Sequence, residues 1–115
     1  MEFDTLTVSV LEAAPNPPEL DAKQADALQD AHMAYLASLH ESGSLQAAGP
    51  FVTPPERTIR GICLHRLPSE EVLALFSKDP AVRAGTLTVR AFTWLVPKGA
   101  ILFSPTRFPH SRAEL

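Results

Sequence analysis

The chain has 115 residues, enough for one domain whose core needs no disulfide or metal staple. Its apolar content of 45% and charged content of 20% exclude a disordered chain, and a net charge of −3 with scattered Lys and Arg excludes a nucleic-acid binder built on a clustered basic face. Cys63 is the one cysteine, which excludes an intrachain disulfide and a cysteine-based zinc site and suits a reducing cytoplasm.

The opening residues MEFDTLTVSVLEA lack the basic start of a signal peptide, and no apolar run approaches the roughly 18 residues of a membrane span, so no membrane partner is expected. Within them Thr5 to Leu11 alternates, with Leu6, Val8 and Val10 on one face and Thr5, Thr7 and Ser9 on the other, a period of two that predicts a strand. Pro15, Asn16, Pro17 and Pro18 end it. Asp21 followed by Gln24 spells a capping box, and a helix follows on the stripe Leu28, Tyr35, Leu39, with His32 filling an apolar slot. Gly43 stops that helix in the left-handed conformation.

Leu45 to Val52 and Thr58 to Leu67 read as two strands joined by the proline-rich loop Thr53–Arg57. Ser69 is expected to cap a second helix, with Glu70 and Glu71 in its first turn and Val72, Leu73, Leu75 and Phe76 as its apolar face. Lys78-Asp79-Pro80 interrupts it, and a short turn Ala81 to Ala84 runs to Gly85. Leu87 to Val96 is the last clear strand, Ile101 to Phe103 reads as a further short one, and Pro105 to Leu115 as a polar tail.

The order β-α-β-β-α-β is the split βαβ arrangement of the ferredoxin-like fold, an α+β class with an antiparallel sheet covered by two helices on one face. A single domain is expected over 1–115, with its core in 1–97 and an extension in 98–115. The last strand is apolar on both sides, Leu87, Val89, Ala91 and Leu95 on one and Phe92, Trp94 and Val96 on the other, so both its faces call for cover. At roughly 25 cal/mol per Å² of apolar surface, a wet second face would cost several kcal/mol. The simplest cover is a second copy, and a homodimer packed sheet against sheet is expected.

Among residues that could carry chemistry, His32 comes first, because an imidazole titrating near pH 6.5 is the natural general acid or base. The alternative is a core histidine bonded to a backbone carbonyl. Asp79 could orient a histidine and stabilise its cation, although Asp at N-cap, Pro80 at N1 and Gly85 beyond also spell a one-turn helix. Arg83 could bind a substrate carboxylate or stand solvated, and Gly49-Pro50 could let a backbone approach a ligand or only end a strand. Trp94 and Phe92 read as dimer core. His40, His65 and His110 have no ligand spacing, so no metal is expected, and Cys63 reads as packing. No phosphate loop, G-x-S-x-G or G-x-G-x-x-G is present, so no cofactor is expected.

The pattern Ala31-His32-x-x-Tyr35-Leu36-x-x-Leu39-x-x-x-Gly43-x-Leu45-x-x-x-Gly49-Pro50, then Asp79-Pro80-x-x-x-Ala84-Gly85 and a strand ending in Trp94, resembles the YciI-like (YCII-related) family over nearly the whole chain. The resemblance implies a dimeric α+β barrel of ferredoxin-like protomers. It also implies a catalytic pair in a small cleft, a histidine on the first helix and the aspartate of the Asp-Pro motif, here His32 and Asp79. A few similar proteins are dehydrochlorinases that act in the breakdown of chlorinated aromatics. The chain departs from the short family form at Pro15 to Pro18 and beyond Gly99.

The first functional reading is therefore a cofactor-independent enzyme. In it His32 is the general base, oriented by Asp79, and takes a proton from a small polar or aromatic molecule in an elimination or isomerisation. The alternatives are a non-catalytic small-molecule-binding or accessory dimer, and a structural dimer without a ligand.

Overall fold

The structure is a computed structural model that describes residues 1–52 and 58–115; the expected loop Thr53–Arg57 lies outside the described residues. Strand β1 (Phe3–Ala13) carries the expected alternation. Helix α1 (Ala22–Glu41) opens with the reciprocal capping box, Gln24 N–H donating to Asp21 Oδ1 at 2.7 Å and Asp21 N–H to Gln24 Oε1 at 3.1 Å. It ends in a Schellman motif: Gly43 has φ 83°, Ser44 N–H donates to Leu39 O at 2.8 Å, and Gly43 N–H to His40 O at 3.1 Å.

Strand β2 (Ala47–Pro50) is shorter than the expected 45–52, because Leu45 turns into the core as the chain leaves α1. Strand β3 spans Ile59–His65, helix α2 Ser69–Phe76, helix α3 Pro80–Arg83 and strand β4 Leu87–Pro97. Ser69 does not cap α2. Pro68 holds that position with φ −65°, a value the proline ring imposes and a helix entry accepts, and Ser69 Oγ instead meets Thr93 Oγ1 at 3.2 Å.

The four strands form one sheet in the order β2-β3-β1-β4, antiparallel throughout, which is the ferredoxin-like arrangement. Register Thr7↔His65, Ser9↔Cys63 and Leu11↔Gly61 sets the face under the helices, where Leu11, Leu39, Leu45, Cys63, Val72 and Phe76 form the core. That face also buries polar groups, and each finds a partner. Thr7 donates to Leu67 O at 2.6 Å. Ser9 Oγ lies 2.8 Å from His65 Nε2, and His65 Nδ1 lies 2.9 Å from Ser44 O. A carbonyl only accepts, so Nδ1 carries the proton and Nε2 accepts from Ser9. The opposite face holds Leu6, Val8 and Val10 beside Ile62, Leu64, Phe92 and Trp94; no helix among the described residues packs there, and Leu6 is buried while Phe92 and Trp94 are exposed.

Ile101 to Phe103 is not a strand. A turn at Gly99, whose N–H donates to Asp4 Oδ2 at 2.9 Å, carries the chain off the β4 edge to the end of β3, where Arg66 lies 5.1 Å over the Phe103 ring. The segment beyond is not a free polar tail either. Phe108 packs on the core and stacks on His40 at 4.0 Å, and the chain then runs back along α1 to Arg112, bonded to Asp30.

Candidate active site

Each member of the expected pair is positioned by its own local structure. His32 sits on the inward stripe of α1 and is 7% exposed; Asp79 stands at the corner between α2 and α3 and is 0% exposed. One Asp79 oxygen, Oδ1, accepts from the Ala81 N–H at 2.9 Å and caps α3. The other, Oδ2, lies 2.7 Å from His32 Nδ1. The capping and orienting roles therefore do not compete, since the carboxylate has an oxygen for each.

In the neutral ring, with Nδ1 donating to the carboxylate, the lone pair is on Nε2. Among the described residues no buried side-chain nitrogen or oxygen lacks a hydrogen-bond partner. Among the described residues His32 Nε2 has no hydrogen-bond partner, so it is open rather than sealed. It opens on a cavity of about 640 Å³ that His32 lines. One wall is α1, with Leu28, Met33 and Leu36; the floor is Gly49, Pro50 and Gly61 of β2 and β3; α3 contributes Ala81. Gly61 is required there, because a Cβ would come 2.4 Å from the Gly49 carbonyl oxygen.

A further wall comes from the C-terminal segment, through Phe108, Pro109 and Leu115. Reading 105–115 as a polar tail misses it. The signal was there in Phe108-Pro109, an apolar pair in a polar stretch that has to bury somewhere. Arg83 is exposed and does not line the cavity, whereas Arg60 does. Among the described residues no Asp or Glu side chain lines the cavity.

Neighbouring groups have defined states. Tyr35 donates to Leu75 O at 2.6 Å, tying α1 to α2, and burial, with the charge of Asp79 second, raises its hydroxyl above the usual tyrosine range. Burial pushes the Cys63 thiol up to about 12, so it is a packing group and not a thiolate nucleophile. Ser9 and His65 form a serine–histidine contact, but both are 0% exposed and neither lines the cavity, so no substrate reaches them. Among the described residues no cluster of His, Cys, Asp and Glu could hold a metal.

Residues 8–94 match the YCII-related domain family. The chain belongs to that family. No curated protein matches it. Among solved structures, the 5-chloro-2-hydroxyhydroquinone dehydrochlorinase of Burkholderia phenoliruptrix AC1100, in complex with 2,5-dihydroxybenzoquinone, is similar with a TM-score of 0.50 and 20% identity, over 76% of this chain and 92% of that chain. At that identity the likeness is one of fold. The YCII-related match ends at Trp94, so the wall formed by Phe108, Pro109 and Leu115 lies outside the part shared with the family. No helix among the described residues is long and apolar enough to cross a membrane.

Proposed function

We propose that this YCII-related protein is a small enzyme whose base is His32 and whose reaction is a proton-transfer elimination or isomerisation on a small molecule. The observation that carries the reading is the 2.7 Å bond from His32 Nδ1 to Asp79 Oδ2, which leaves Nε2 free on a residue that lines the cavity. Nε2 takes a proton from the substrate, and Asp79 holds the ring and stabilises the imidazolium that results. In an elimination the C–H electron pair becomes the new double bond and the leaving group departs with its own pair. In an isomerisation the imidazolium returns the proton at a second carbon. Neither sequence needs a redox group.

The cavity suits such a substrate. Pockets of about 300–1,000 Å³ with apolar walls and few convergent polar groups are the usual sites for small molecules. Gly49 and Pro50 serve as the floor under the ligand. The dehydrochlorinase with the similar fold acts in the same elimination class.

His32→Asn tests the reading, because its amide N–H can still donate to Asp79 while no base remains. A substrate is found first, by a thermal-shift screen of small phenols, hydroxyquinones and carboxylates. The variant is expected to fold as the wild type does and to lose turnover. Undiminished turnover sinks the proposal. A change in affinity with no turnover in either protein identifies a binding module instead.

We also propose that a second copy covers the open sheet face and that the protein works in the cytoplasm. Phe92 and Trp94, 47% and 41% exposed, support the first, and the unpaired buried Cys63 supports the second.

A further inference from the structure

We infer that the C-terminal segment 106–115 is the specificity-determining wall of the cavity, and that Phe108 is the residue that sizes the ring of an apolar, ring-bearing ligand. The inference rests on the His32 cavity being the ligand site.

The segment is built to stay where it is. Pro109 restricts the backbone of Phe108 to extended conformations. Phe108 is held flat against His40, with ring centroids 4.0 Å apart and planes 12° from parallel, and it packs on the core as well. His40 Nε2 reaches Thr106 O at 3.1 Å, just ahead of that ring. Further on, His110 Nε2 meets Glu41 Oε1 at 2.7 Å, and Arg112 donates to Asp30 Oδ1 from its backbone N–H at 2.9 Å and from Nε at 3.0 Å. Glu114 folds the segment on itself, accepting from Arg107 and from the His110 N–H. The attachments run along α1, the helix that carries His32.

One face of the Phe108 ring is taken by His40, so what Phe108 offers the cavity is a fixed aromatic boundary. A rigid wall discriminates by shape, because accommodating a larger ligand would break the stack or lift the ring from the core. Met33 and Leu36 of α1 line the same cavity and are apolar too. A flat apolar ring fits between such walls, with a hydroxyl or acidic C–H turned to His32 Nε2. Since the family match ends at Trp94, this wall is a place where the chain can choose a ligand independently of the shared core.

The test measures dissociation constants of phenol and 1-naphthol, by calorimetry, for the wild type, Phe108→Leu and Phe108→Trp, with His32→Asn alongside. The readout is the ratio of the two constants, which cancels any general loosening of the fold. Phe108→Leu is expected to move the ratio toward 1-naphthol, and Phe108→Trp toward phenol, by about tenfold each. Phe108→Leu keeps an apolar side chain on the core, so the test does not depend on an alanine variant folding. If both constants change by one factor, or neither changes, Phe108 does not set specificity and the inference fails. If His32→Asn weakens both probes in that case, the cavity reading survives the failure. If neither probe binds the wild type, both fall together.

Discussion

Asp79 holds His32 Nδ1 at 2.7 Å with one carboxylate oxygen and the Ala81 N–H at 2.9 Å with the other, across 47 residues of sequence in the first case and two in the second. Replacing one oxygen separates the roles. Asn is as good an N-cap as Asp, so Asp79→Asn should keep α3 and change the melting temperature little. The neutral amide no longer stabilises an imidazolium, so turnover should fall by at least about a hundredfold. Asp79→Ala removes both contacts and should destabilise the protein by about 2–4 kcal/mol in urea titrations. Equal activity of Asp79→Asn and wild type would show that the carboxylate is only a cap.

The cavity floor depends on two glycines with opposite tolerances. A Cβ at Gly61 meets the Gly49 carbonyl oxygen at 2.4 Å and the Pro50 Cα at 3.0 Å, both of them backbone atoms that move only if β2 moves. A Cβ at Gly49 meets nothing within 4 Å. Gly61→Ala should therefore cost about 1–3 kcal/mol or more by overpacking. Gly49→Ala should fall within about 0.5 kcal/mol of the wild type. Chemical denaturation of the two variants side by side checks the contrast, and equal effects would contradict it.

His65 supplies a pH dependence with a definite sign. Burial lowers its pKa from the ordinary 6.5, while the hydrogen bond to Ser44 O acts the other way and is the smaller effect. In the folded chain the imidazole resists a proton that the unfolded chain takes up, so the unfolded state binds more protons below the ordinary value. Its contribution is fully present above about pH 6.5 and is lost as pH falls from there toward the folded pKa. Urea midpoints at pH 7.5, 6 and 5 should fall with pH in the wild type. In His65→Gln they should start lower and fall less steeply; an unchanged slope in the variant would rule His65 out as the cause.

How much of this was legible in the sequence follows from the range of each interaction. The capping box at Asp21 and Gln24, the glycine stop at Gly43 and the one-turn helix after Asp79 are local, and all three stand where the residue pattern puts them. The His32–Asp79 contact spans 47 residues and was reachable only by combining a helix stripe with a family pattern. The C-terminal wall was legible only as the apolar pair Phe108-Pro109, and where that pair docks was not. Its anchor from Arg112 to Asp30 crosses 82 residues between exposed charges, which carry no periodic signal. Alternation in β1 was plain, but it could not say that the face bearing Thr7 and Ser9 would lie under the helices. That choice depends on Leu67 and His65 arriving to satisfy the hydroxyls, with the Ser44 carbonyl fixing the His65 ring.

The same choice of face leads to the last prediction. With the polar-bearing side of β1 turned to the helices, its apolar side is left beside equally apolar partners: Val8 pairs with Leu64 and Phe92, and Leu6 with Trp94. Leu6 is itself buried, but Phe92 and Trp94 stand exposed on that side, and exposed aromatic surface on a sheet marks an interface. A second copy would bring the same apolar patch to it across a two-fold axis, where one face meets itself. The wild type should have twice the protomer mass by light scattering at micromolar concentration. Trp94→Asp puts a charge in the middle of that surface, remote from the His32–Asp79 pair, and should give the mass of one protomer with the capped helices intact by circular dichroism. A wild type of protomer mass, or a Trp94→Asp variant that stays paired, would show that this face does not join the copies.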